Sequence, residues 1–241
     1  MKTLEDYKNG QLLLIDKPLG WTSFQVVNKL RWHLRKTFNI KKIKVGHAGT
    51  LDPLATGLLI ICTGKMTKQI EQYQAQKKVY SGSFTLGSTT PSFDMETEIN
   101  QQFPTAHITE ELIRKTTKNF IGETEQYPPV YSALKKDGKR LYEFARAGKD
   151  VAIEAREIMI DVFNITAIRG LEVDFEVECN KGTYIRSLAH DFGKALNSGA
   201  HLSGLRRTKI GKFSIERTDL TSNIHAGCLI TNDAFSQSIL K

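Results

Sequence analysis

The chain has 241 residues, 40% hydrophobic and 25% charged, an ordinary balance for a globular protein of one large domain or two small ones. Its longest apolar runs are about five residues, against the ~18–20 needed to span a bilayer. Residues 1–6 lack the apolar core of a secretory signal, so no membrane association and a cytoplasmic location are expected. Net charge is +8, and all of the excess lies in residues 1–80, which hold 14 Lys and Arg against five acids.

Residues 11–16 read as a short buried strand, broken by Lys17-Pro18-Leu19-Gly20. Thr22 and Gln25 have the spacing of a capping box, and Val26, Val27, Leu30 and Leu34 recur at helical period. A helix is therefore expected over about residues 23–38, displaying Arg31 and Arg35. Residues 29–44 hold seven bases and no acid, among them Lys42 and Lys44. A one-signed cluster of this density fits a polyanion, nucleic acid first.

The next run, Gly46-His47-Ala48-Gly49-Thr50-Leu51-Asp52-Pro53-Leu54-Ala55-Thr56-Gly57, packs one carboxylate, one imidazole and three glycines into a loop. On spacing alone it reads as a tight turn, with the glycines supplying positive φ and Asp52 making an Asx-turn before Pro53. Residues 58–62 read as a buried strand, 65–74 as a short helix and 79–86 as another strand. A helix is expected over 109–120, with Glu110 and Glu111 in its first turn. Residues 125–153 read as an insertion, with Pro128-Pro129, mixed charge and a helical stretch 139–147 ended by Gly148.

Residues 158–168 and 171–179 read as strands. The second alternates Val173, Phe175, Val177 and Cys179 with Glu172, Asp174, Glu176 and Glu178, the mark of a sheet with one wet face. Lys181-Gly182 turns the chain into a helix carrying Ile185, Leu188, Ala189, Phe192 and Leu196. The order is not a regular βαβ alternation. The class expected is α+β, with a central mixed, largely antiparallel sheet flanked by helices.

Several chemistries find no support. Cys62, Cys179 and Cys228 lie far apart with no CxxC pair, which suits a reducing compartment and gives no disulfide or metal framework. Cys62 and Cys179 are expected as small buried hydrophobes. Gly64-Lys65 lacks the glycine that a phosphate-binding loop needs at position 59, which is Leu. No dinucleotide fingerprint, nucleophile elbow or paired histidine spacing occurs, so neither cofactor nor metal is expected.

Taken together, four motifs carry a resemblance. GHAGTLDPLATG closely resembles the catalytic loop of the TruB family of pseudouridine synthases. Lys17 lies in DKPLGWTS, which resembles that family's N-terminal motif, and KGTYIRSLAHDFG resembles its later arginine motif. PPVYSALKKDGKRLYEFARAG resembles the insertion that closes over tRNA. The resemblance runs from about Leu12 to about Ser214. It implies a pseudouridine synthase fold, with tRNA, through its T-arm, as the partner. It also implies isomerisation of uridine 55 in the T-loop to pseudouridine, with no cofactor. A monomer is expected.

The resemblance also implies roles. Asp52 matches the catalytic aspartate, Tyr80 the tyrosine that packs on the target base, and Arg186 the arginine that pairs with the aspartate, with Tyr184 beside it. Lys17 matches a lysine that supports the site. His47 matches the histidine that fills the space left by the flipped base. Arg206 and Arg207 fall among basic residues near the RNA, and Lys42 and Lys44 are expected on phosphates. Residues 88–94 depart from a Thr- and Asp-rich run found in many members, although Asp94 keeps part of that pattern. Many bacterial members carry a further C-terminal RNA-binding domain of PUA type. The 27 residues after Ser214 are too few for one, so a single catalytic domain over 1–241 with a short tail from about 215 is expected.

Overall fold

A computed structural model describes residues 2–132, 134–136, 138–149, 151–215 and 229–230. The chain begins with α1 (Leu4–Asn9), β1 (Leu12–Lys17), α2 (Ser23–Thr37), β2 (Val45–Ala48) and β3 (Ala55–Thr63). A 3-10 segment, Gly64–Gln69, runs into α3 (Ile70–Gln74), followed by β4 (Lys78–Leu86), β5 (Ser88–Thr89) and β6 (Gln101–Gln102). Next come α4 (Glu110–Thr116), β7 (Gly122–Gln126), the hairpin β8 (Lys135–Lys136) and β9 (Lys139–Arg140), and α5 (Leu141–Arg146). The remaining elements are β10 (Arg156–Arg169), β11 (Glu172–Cys179), α6 (Ile185–Ala195), β12 (Ala200–Ile210), β13 (Phe213–Ser214) and β14 (Leu229–Ile230). Among the described residues no helix is long and apolar enough to cross a membrane.

The chain divides into two units, one of residues up to Tyr80 and from Arg206 onward, the other running from Ser81 to Leu205. The division falls within β4 and within β12. In the first unit the strand order is β14-β1-β3-β12-β4, with β2 on β3 and β13 on β12. β1 and β2 pair antiparallel with β3, and β14 pairs parallel with β1. β1 and β3 are buried on both faces, which is why their sequences are near-continuous apolar runs. One face packs Leu13, Ile15, Leu59 and Ile61 against Val26, Val27, Leu30 and Leu34 of α2. The other packs Leu12, Leu14, Leu58, Ile60 and Cys62 with Ile210 and Phe213.

In the second unit the order is β12-β4-β11-β10-β7, and the pairs β10–β11 and β7–β10 are antiparallel. β11 is one-sided as expected: Val173, Phe175, Val177 and Cys179 are buried. On its polar face, Ser83 donates to Asp174 (2.7 Å) and Thr85 to Glu172 (2.8 Å). The core is aromatic. Phe84 stacks on Phe175 with centroids 4.1 Å apart and meets Phe163 and Phe192 at 6.1 and 5.7 Å.

The capping box forms as read: Thr22 N–H donates to Gln25 Oε1 (2.7 Å) and Gln25 N–H to Thr22 Oγ1 (3.1 Å). Four readings change. The expected helix 65–74 is a 3-10 segment followed by a short α-helix. The expected helix 109–120 is α-helical over Glu110–Thr116 and ends in a 3-10 segment, Thr117–Phe120. Lys139–Arg140, read as helix, pairs with Lys135–Lys136 instead, because the chain reverses at Gly138 with φ +79°. The 11-residue strand β12 carried no apolar alternation and was not anticipated. Most of the tail and Cys228 lie outside the described residues.

Phe84 is fully buried and touches three other rings. Phe84→Ala is expected to cost about 3–5 kcal/mol, read as a lower midpoint in thermal or urea unfolding. A change under about 1 kcal/mol would contradict this packing.

Candidate active site

In the first unit the glycine-rich loop is held from both sides by buried cations. Lys17, at the end of β1, is fully buried. Its ammonium donates to the carbonyls of Pro18 (3.0 Å), Trp21 (2.6 Å) and Pro53 (3.4 Å). Burial lowers its pKa to about 8, opposed by the negative charge of Asp52 and reinforced by the positive charge of Arg207. Arg207, on β12, is 1% exposed. Its Nε donates to Leu58 O (2.8 Å), Nη2 to Gly49 O (3.0 Å) and Nη1 to Thr50 O (3.5 Å).

A third clamp comes from the start of α2. Ser23 Oγ donates to Leu51 O (3.0 Å), and Leu51 N–H donates back to Ser23 Oγ (2.8 Å). Gly20 N–H adds a bond to Pro53 O (2.8 Å). Asp52, half-buried, sits between these fixed points, and Ala55 N–H donates to its carbonyl (3.1 Å). Gly57 is required by geometry: its φ is +99°, and a Cβ there would lie 2.3 Å from the carbonyl oxygen of Arg207. The turn reading of the loop thus describes how the carboxylate is aimed.

His47 on β2 is half-buried, and its Nδ1 has no hydrogen-bond partner among the described residues. Burial, then the charge of Arg207, pushes its pKa down, so the ring is neutral at pH 7. Tyr80 is 9% exposed on β4. Arg206 makes a bidentate pair with Asp16 (2.9 and 2.7 Å), both half-exposed. Lys42 and Lys44 are exposed. The first unit therefore gathers Lys17, His47, Asp52 and Arg207 around one loop. Arg207, which sequence reasoning grouped with the RNA contacts, has its guanidinium on loop carbonyls. Arg31, read as displayed, turns inward to Asn28 Oδ1 (2.7 Å) and Val45 O (3.0 Å).

The second unit holds Arg186 and Tyr184 at the start of α6. Arg186 is 4% exposed; its Nη1 donates to Tyr131 O (2.9 Å) and Ser92 O (3.3 Å), and its Nε lies 3.7 Å from Asp94 Oδ2. Gln126 closes a two-way amide pair with Tyr184, accepting from its N–H (2.8 Å) and donating to its carbonyl (3.1 Å). Ser187 Oγ donates to Tyr127 O (2.7 Å). The first turn of α6 thus grips residues 126–131, at the root of the excursion that carries β8, β9 and α5. Sequence reasoning did not single out Ser23 or Gln126. The signals were a small hydroxyl just inside a capping box and an amide ending an exposed strand.

Lys17 supplies a pH signature. Its folded pKa lies below the ordinary value of 10.5. Below about 8 both folded and unfolded chains carry the charge, and the folded state bears the full burial penalty. Between about 8 and 10.5 only the unfolded chain keeps the proton, so this contribution to stability rises with pH. Relative to Lys17→Met, the wild type is expected to gain stability across that window. Unfolding free energies of both proteins from pH 7 to 10 check it, and a flat difference would refute it.

Residues 35–185 match the model of the TruB family pseudouridylate synthase N-terminal domain, and residues 186–237 match that of the tRNA pseudouridylate synthase B C-terminal domain. The chain is 61% identical to tRNA pseudouridine synthase B of Flavobacterium johnsoniae over 91% of its length and 96% of the relative's. It is 55% identical to the protein of that name from Phocaeicola vulgatus, covering 88% of this chain and 90% of the other. Among solved structures, a Cbf5-Nop10-Gar1 complex gives TM-score 0.64 at 30% identity, covering 93% of this chain and 57% of that one. An H/ACA RNP bound to a substrate RNA containing 2'-deoxyuridine gives 0.63 at 28%, covering 93% and 56%. The chain spans little more than half of those structural neighbours. The sheet flanked by helices is the α+β pseudouridine synthase fold, and the chain belongs to the TruB family of pseudouridylate synthases.

Proposed function

We infer that this protein isomerises uridine 55 in the T-loop of tRNA to pseudouridine, with Asp52 as the reacting carboxylate. The carrying observation is the loop itself: three separate clamps, from Lys17, Ser23 and Arg207, fix the backbone on either side of Asp52. The likeness at 46–61% identity to proteins named tRNA pseudouridine synthase B, over nearly their whole length, favours tRNA over an rRNA selected by a guide RNA.

The reaction breaks the N1–C1′ bond, turns the uracil and joins C5 to C1′, so it consumes no redox equivalent. An ionised carboxylate can add to the substrate or take a proton from the sugar to permit elimination. Either route needs the base out of its stack, at a cost of a few kcal/mol. Stacking on Tyr80 returns about 1–3 kcal/mol of that. The neutral His47 ring occupies the gap. Arg186, held on the carbonyls of Ser92 and Tyr131 and beside Asp94, is assigned to the catalytic machinery by the family motif it sits in, and its planar fork matches carbonyl and carboxylate acceptors as no lysine does. Lys42 and Lys44 meet phosphates, which position the RNA without reading its sequence. In this reading residues 125–153 are the segment that clamps the RNA, and the chain acts as one catalytic domain.

The test is incubation of purified protein with unmodified tRNA, followed by carbodiimide-blocked primer extension. The wild type is expected to give a stop at uridine 55, and folded Asp52→Asn none. A full stop with Asp52→Asn would overturn the assignment. Arg186→Lys is expected to lower the single-turnover rate by about 10- to 100-fold, the loss of a charged hydrogen bond or two. An unchanged rate would remove Arg186 from the catalytic machinery.

A further inference from the structure

One exposed surface of the first unit is used by none of these roles. No acid occurs between Asp16 and Asp52, a stretch that holds eight bases. α2 buries Val26, Val27, Leu30 and Leu34 on one face. On the outer face Lys29, Trp32 and Lys36 follow at i, i+3 and i+7, which stacks them along one side of the helix. Trp32 is 54% exposed. The ammonium groups of Lys29 and Lys36 lie 5.8 and 5.0 Å from its ring centre. Arg35 is exposed beside them. His33 reports the same field: after burial, the charges of Lys29 and Lys36 push its pKa down.

An indole left in water between two ammonium groups combines a flat stacking surface with phosphate-binding charge. That pairing is how proteins hold unpaired nucleotides without reading their sequence. The place on the helix adds a reach. Ser23, which clamps the Asp52 loop, precedes Trp32 by nine residues, or ~14 Å along the axis. An RNA whose target nucleotide lies at that loop extends easily over this distance.

We propose that Trp32, with Lys29, Lys36 and Arg35, forms a second RNA-binding surface on α2. It stacks an unpaired base of the substrate tRNA and holds its neighbouring phosphates, apart from the target nucleotide. The proposal rests on the reading that tRNA is the substrate. Charge decides the occupant: the face offers cations and an aromatic ring and no acid, so a polyanion with exposed π-faces fits it better than a protein surface.

The experiment measures Kd for one unmodified tRNA across about 50–200 mM salt, together with isomerisation of the same RNA. Trp32→Ala is expected to weaken binding about fivefold or more, with Trp32→Phe restoring most of it. Lys29→Gln with Lys36→Gln should reduce the slope of log affinity against log salt by about 1.5, the share of two phosphates. In turnover the loss should fall on KM. Wild-type isomerisation with unchanged Kd and slope in all variants overturns the surface alone. Weakened binding by the variants without any wild-type isomerisation overturns the enzymatic reading alone. Unchanged tRNA binding with loss of co-flotation on phosphatidylglycerol vesicles would assign the face to anionic lipid and also overturn the proposal.

Discussion

The guanidinium of Arg207 is the contact on which the candidate site of the first unit depends. A charged hydrogen bond contributes about 1.5–3 kcal/mol, and this side chain donates to Gly49, Thr50 and Leu58 at once. Those carbonyls bracket Asp52 in sequence, so one planar group sets both limbs of the loop. The backbone of the same residue forbids a side chain at position 57. Lys17 works on the loop from the other side through Pro53. Arg186 repeats the device in the second unit, where it holds Ser92 and Tyr131 through their carbonyls.

These three buried cations therefore share a logic. A cation taken out of water needs acceptors, and main-chain carbonyls supply them with no counter-charge to titrate away. Carboxylates stand beside some of these cations as well: Asp94 faces Arg186 at 3.7 Å, and Asp16 pairs with the half-exposed Arg206 at 2.7 Å.

Much of this was legible in the sequence where a local rule applied. The capping box at Thr22 and Gln25, the doubly buried run Leu58–Cys62 and the one-sided strand Glu172–Cys179 each follow from composition and period alone. β12 was not legible, because its residues serve polar partners instead of alternating. Ser203 donates to Ser83 O and to Glu172, and Arg206 and Arg207 reach Asp16 and the loop. Charge counting likewise found the basic segment but could not tell Arg31, turned inward to Val45, from Arg35, left in water. The direction of a long side chain is set by tertiary acceptors that spacing does not record.

The distance in sequence between the loop and its clamp also has a consequence for biosynthesis. Arg207 Nη2 meets the carbonyl of a residue 158 positions earlier. Proteins are made from the N-terminus and fold by domains as they emerge, and contacts of such separation form late. Assembly of the carboxylate's surroundings is thereby tied to synthesis of the chain through Arg207, long after the glycine-rich loop itself has been made.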